Sequence, residues 1–171
     1  PFTNIRLPLT KWRFTYKTVG RGDVIIFDFP GDASEIAPKT PELYVKRVLG
    51  LPGETVSVSD GRAYVNGTAI DYCSAALPSS TDLSKCTFLG PLVIPYKGMT
   101  LNLTLATIDK YSTLIEREGN SVVVENNKII INDKEVDTYT VQDDYYYVLG
   151  DNCTDSYDSR FWGFVPLRNI I

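Results

Sequence analysis

Short apolar runs rich in β-branched and aromatic residues, separated by Gly, Pro, Asn and Asp, constrain this chain most. Val24-Ile25-Ile26-Phe27, the stretch from Leu43 to Leu49, and Tyr145-Tyr146-Tyr147-Val148-Leu149 are each of strand length and bounded by turn residues. Thr55-Val56-Ser57-Val58 alternates as a half-buried strand does. Two segments follow one plan of turn, strand, turn: Val58 to Gly67, and Val124 to Asp133. Their Asp-Gly, Asn-Gly, Asn-Asn and Asn-Asp pairs suit tight turns with positive φ, so both read as hairpins. Two hairpins resemble each other in any case, and duplication is not needed to explain them.

One helix interrupts the pattern. Leu105, Ile108, Tyr111, Ser112 and Ile115 recur at helical spacing, with Thr104 as the expected N-cap and Gly119 as the stop. The expected fold is mostly β: a core of residues 1–58 and 141–171, and an inserted smaller lobe over 59–140 that carries the helix. At 171 residues the chain is long enough for a real core. The net charge of -4, with no basic run longer than a pair, argues against a nucleic-acid partner.

The chain contains no His. That excludes Ser-His-Asp and Cys-His catalysis, and leaves a carboxylate, Tyr, Cys or Lys as any base. Of the three Cys, Cys73 and Cys86 bracket a short polar segment and are the expected disulfide, with Cys153 left over. No apolar run is long enough to span a membrane. The chain opens on Pro1-Phe2-Thr3 without Met, from which removal of an upstream segment is expected.

Two segments carry chemistry. Lys46 sits in Tyr44-Val45-Lys46-Arg47-Val48-Leu49, and strand alternation sends Lys46 and Arg47 to opposite faces. One of the two must therefore face an apolar interior or cleft. There a lysine is pushed towards the neutral amine that a general base requires, unless its ammonium snorkels to water. The second segment, Gly150 to Gly163, is dense in Asp, Ser and Arg. Asp151, Thr154, Asp155 and Asp158 offer oxygens, but no calcium-loop spacing is present, so no metal is expected.

Together with Arg21-Gly22-Asp23-Val24-Ile25-Ile26-Phe27, these segments resemble the successive signature boxes of type I signal peptidases, Ser-Lys proteases of the S26 family. The matching stretches are Tyr44 to Glu54, and Gly150-Asp151-Asn152 through Ser156-Tyr157-Asp158-Ser159-Arg160-Phe161-Trp162-Gly163-Phe164-Val165-Pro166. They occur in the family's order, and the middle of the chain is similar to its variable lobe. The resemblance implies a coiled-sheet or β-barrel catalytic core that works without a cofactor. Lys46 would be the general base and Ser156 the hydroxyl that orients it. Asp158 and Arg160 would pair beneath the site, while Arg47 and Asp151 brace the loop. Leu43, Tyr44 and Val45 would form the strand edge on which the signal peptide of a preprotein lies extended. The implied setting is the outer face of a bacterial inner membrane, reached through an N-terminal anchor.

The chain departs from the family at Cys153, where Arg is usual, and at Thr154 and Asp155. A larger departure is that residues 1–22 contain no Ser, whereas the family's nucleophile lies in a Ser-Met-x-Pro-Thr type box upstream of the first strand. The chain is therefore expected to be most of an active site without its nucleophile, cut from a complete enzyme and inactive alone. The alternatives are a degenerate homologue that binds extended peptides, and a self-cleaving repressor of the SOS type. The last lacks support, because nothing near the N-terminus is basic or helical enough for a DNA-binding domain.

Overall fold

The computed structural model describes residues 18–36, 38–59, 62–70, 90–152 and 155–171. The Asp60-Gly61 turn, Cys73, Cys86, Cys153, Thr154 and residues 1–17 lie outside the described residues. Along the chain the strands are β1 (Val24–Asp28), β2 (Leu43–Gly50), β3 (Thr55–Ser59), β4 (Arg62–Val65), β5 (Thr68–Ile70), β6 (Leu92–Val93) and β7 (Thr100–Asn102). Helix α1 (Ile108–Arg117) precedes β8 (Val122–Glu125), β9 (Lys128–Ile131), β10 (Lys134–Glu135), β11 (Thr138–Thr140) and β12 (Tyr145–Leu149). A one-turn helix α2 (Ser159–Trp162), β13 (Val165–Pro166) and a 3-10 turn over Leu167–Asn169 follow. The described residues are thus mostly β with one long helix.

The strands form four antiparallel groups, ordered β1-β2-β12-β13, β5-β4-β3-β6, β10-β9-β8 and β11-β7. No closed barrel forms among the described residues. The sheet that carries Lys46 ends at β1 on one side and at the two-residue β13 on the other.

β12 is buried along its whole length because both of its faces meet a core. Tyr145, Tyr147 and Leu149 join Leu49, Val56, Ile115 and Phe164 on one face. Tyr146 and Val148 join Ile25, Phe27, Val48, Trp162 and Val165 on the other. Period-two alternation thus makes one strand the partition between two clusters.

The hairpin expectation holds where residues are described. Asn66-Gly67, Asn126-Asn127 and Asn132-Asp133 all take positive φ between paired strands, as two-residue hairpin turns require. The likeness of the two segments extends to hydrogen bonding. Asn66 Oδ1 accepts from the Thr55 amide and Asn132 Oδ1 from the Ser121 amide, each at 2.9 Å and eleven residues apart.

The helix starts later than expected. Thr107, not Thr104, occupies the N-cap position, and its hydroxyl turns back to the Asn102 and Thr104 carbonyls. Leu105 consequently sits exposed in the preceding turn, while Ile108, Leu114 and Ile115 enter the core. Gly119, at φ 87°, ends the helix as expected.

Just past α1, the Glu118 carboxylate accepts from the phenols of Tyr139 (2.5 Å) and Tyr145 (2.7 Å). Burial, followed by these bonds to a carboxylate, raises both phenols above their usual value of 10.0. The fold therefore favours the neutral phenols. Their contribution is fully present below about pH 10 and is lost as pH rises towards the higher folded values. Urea midpoints are expected to fall as pH rises above about 10, less steeply in Glu118→Gln. A midpoint flat with pH would contradict this.

Candidate active site

Antiparallel pairing sets Lys46 opposite Ile25 and Arg47 opposite Val24. Ile25 is buried and Val24 exposed, so Lys46 takes the core-facing side of β2, with Tyr44 and Val48, and Arg47 the outer side. The Lys46 side chain crosses to the loop after β12, where Nζ donates to Ser156 Oγ at 3.0 Å. Nζ also lies 5.7 Å from the centroid of the Tyr44 ring.

The loop carrying Ser156 is anchored at both ends. Asp158 and Arg160 are paired with almost no exposure, Nε to Oδ1 at 2.8 Å and Nη2 to Oδ2 at 2.9 Å. Asp158 also caps α2 through the Arg160 amide and accepts the Gly150 amide at 3.0 Å. The Ser159 hydroxyl accepts the Val148 amide at 2.9 Å, beside the register shift in β12. On the outer face Arg47 grips Asp151 with two bonds, at 2.9 and 2.7 Å, and donates to the Gly22 carbonyl. The Arg47 and Asp151 side chains are 33% and 63% exposed, so that pair contributes at most ~1 kcal/mol. The Asp158–Arg160 pair is the one the loop depends on.

β2, which carries Leu43, Tyr44 and Val45, lies between β1 and β12 in the strand order. The pairing with β12 stops at Arg47, however, and no described strand continues along that flank. Val48 exchanges main-chain bonds with the β1 side, from its amide to the Asp23 carbonyl and from the Gly22 amide to its own. Alternation therefore points the main-chain groups of Val45 and Leu43 the other way, along the unpaired flank.

Three contributors escaped the sequence reading. Gly150 was legible only as a turn residue, yet a Cβ there would overlap the Ser156 hydroxyl and stand 3.5 Å from Lys46 Nζ. Gly150→Ala is expected to displace Ser156 and destabilise the chain by ~1–3 kcal/mol, measured by urea unfolding. An unchanged midpoint would contradict the close packing. Arg117, in the last turn of α1, donates to the Phe164 and Trp162 carbonyls at 3.2 and 2.8 Å, and also to the Gly31 carbonyl. Burial pushes its guanidinium down to about 10. Its only forewarning was a basic residue at a helix C-terminus. The third is Tyr157, whose hydroxyl donates to Asp32 Oδ2 at 2.7 Å across 125 residues of chain.

The family model described as signal peptidase, peptidase S26, matches residues 4–171. A probable signal peptidase I-2 from a Synechocystis strain is 29% identical over 168 residues, covering 98% of this chain and 52% of its own length. A signal peptidase I from Leptolyngbya laminosa is likewise 29% identical, covering 98% of this chain and 57% of its own length. A solved signal peptidase I from Enterococcus faecalis V583 aligns with 90% of this chain and 94% of its own, at 25% identity and a TM-score of 0.41. The chain thus spans little more than half the length of these two curated relatives. The match over nearly all of its residues shows that the chain belongs to the signal peptidase family, peptidase S26.

Proposed function

We propose that this chain is the base-bearing part of a serine endopeptidase that removes signal peptides from exported preproteins. In this reading the complete enzyme works on the outer face of a bacterial cytoplasmic membrane. The observation that carries the reading is the hydrogen bond between Lys46 Nζ and Ser156 Oγ, formed from a core-facing strand position to a loop 110 residues away. The similarity to proteins named signal peptidase I supports it.

As the free amine, Lys46 takes the proton from the hydroxyl of the nucleophilic serine while that oxygen attacks the scissile carbonyl. The resulting ammonium protonates the departing amine. The amine then takes a proton from the water that hydrolyses the acyl-enzyme. Ser156 accepts one N–H of Lys46 and so aims the lone pair. The signal peptide lies extended along the open flank of β2, bonded to the main chain at Val45 and Leu43. Residues 1–58 and 141–171 form the catalytic core in this reading, and residues 59–140 the variable lobe. No Ser-Met pair occurs in the sequence, so the nucleophile and its oxyanion donor belong to sequence outside these residues. The chain alone does not cleave.

Ser156→Ala in the complete enzyme tests the assignment with a preprotein assay. Losing one hydrogen bond to a charged or nascently charged amine should lower kcat ~10- to 100-fold, less than losing the base itself. Wild-type turnover would refute the orienting role. A loss as deep as that of Lys46→Ala would instead make Ser156 the nucleophile, as would turnover by these 171 residues alone. A degenerate peptide-binding homologue would show no turnover in the complete protein either.

A further inference from the structure

Besides the buried Asp158–Arg160 pair, the Ser156 main chain meets Arg160 directly, its carbonyl accepting from Nη2 at 3.4 Å, a long bond. A shorter attachment, to a different part of the fold, lies one residue further on, where the Tyr157 hydroxyl donates to Asp32 Oδ2 at 2.7 Å. Asp32 is itself fixed, because its other oxygen accepts from the Ser34 amide at 2.8 Å, the Ser34 hydroxyl at 2.6 Å and the Glu35 amide at 3.1 Å. The bond thus ties the loop after β1 to the loop that carries Ser156. A second route runs through stacked rings. Tyr157 packs on Phe29 at 6.1 Å between centroids, Phe29 stacks on Tyr44 at 4.7 Å, and the Tyr44 ring faces Lys46 Nζ.

Resting on the reading above, we propose that Tyr157 and Asp32 are positioning residues. Their hydrogen bond clasps the Ser156 loop and the Phe29–Tyr44 stack so that Ser156 meets Lys46. The clasp is durable in its charge state. Hydrogen bonds from Ser34 and Tyr157 hold the Asp32 carboxyl down to about 2, and burial with the Asp32 bond raises the Tyr157 phenol above its usual value. Asp32 therefore stays ionised and Tyr157 neutral from mildly acidic to mildly alkaline pH. Tyr157 is 42% exposed, so removing its hydroxyl empties no core.

The test is kinetic, in the complete enzyme with a preprotein substrate. Tyr157→Phe keeps the ring and deletes only the donor. It should lower kcat ~10-fold with KM within ~2-fold, the size of one hydrogen bond to a charged acceptor. Asp32→Asn, which keeps an acceptor oxygen, should lose less. In a Ser156→Ala background, Tyr157→Phe should cause no further loss, since the group it positions is gone. Wild-type kcat in Tyr157→Phe, or a full further loss in the Ser156→Ala background, would overturn the clasp. Lys46→Ala is assayed alongside. If it still cleaves, the reading of the site itself fails. If it does not cleave and Tyr157→Phe is normal, only the clasp fails. Any destabilisation of Tyr157→Phe is read separately by thermal unfolding, and a loss of kcat below the melting range that persists only with Ser156 present still upholds the clasp.

Discussion

Asp158→Ala is expected to destabilise this chain by about 3–5 kcal/mol, the usual consequence of removing one partner from a buried ion pair. The Asp158 and Arg160 side chains are 0% and 2% exposed, so the guanidinium left behind has no water to turn to. The same substitution removes the cap of α2 and the acceptor of the Gly150 amide. Desolvation decides the magnitude, and the comparison that shows it is a double variant. Asp158→Leu combined with Arg160→Met should lose clearly less than Asp158→Ala, because no charge remains to be compensated. Urea unfolding measures both. A loss below ~1 kcal/mol in Asp158→Ala would mean that the pair behaves as a solvated one.

Lys46→Ala in the complete enzyme should lower kcat for preprotein cleavage by at least ~10³-fold, within the range for removal of a general base. Steric disruption does not account for such a loss, because Lys46 is only half-buried and among the described residues its Nζ hydrogen-bonds to Ser156 alone. The urea midpoint of the 171-residue chain should accordingly change little in Lys46→Ala. Near-normal cleavage by the variant would end the assignment of Lys46 as base. Loss of cleavage together with unfolding would move Lys46 from catalysis to structure. The graded order of Lys46→Ala, then Ser156→Ala, then Tyr157→Phe separates base, orienting hydroxyl and clasp.

The legibility of the site in sequence followed the range of each interaction. Alternation alone placed Lys46 and Arg47 on opposite faces, and the structure sends Lys46 to the Ile25 side and Arg47 to Asp151. The Asn-Gly, Asn-Asn and Asn-Asp turns were legible because positive φ is a local demand that few residues meet. The helix start was misjudged because Leu105 fits the 3.6 period, while the turn at Thr104–Thr107 that excludes it depends on a hydroxyl bonding backwards. Along Leu43, Tyr44 and Val45 only the β1 side of β2 is paired among the described residues. The other flank opens because β12 ends at Leu149, opposite Arg47, and no pattern within β2 announces it. Gly150, Arg117 and the Tyr157–Asp32 bond were illegible for one shared reason. Each acts through a contact that exists only after distant segments have come together.

Whether the amine at position 46 carries out the proton transfer is read out by chemical rescue. Lys46→Cys in the complete enzyme should be inactive, and alkylation with 2-bromoethylamine rebuilds a lysine-like amine on the same strand position. Cleavage of a preprotein should then return to a measurable fraction of wild type, with equally treated wild-type enzyme correcting for reaction at Cys73, Cys86 and Cys153. Full activity of Lys46→Cys before alkylation, or no recovery after complete alkylation of a folded protein, would contradict the account.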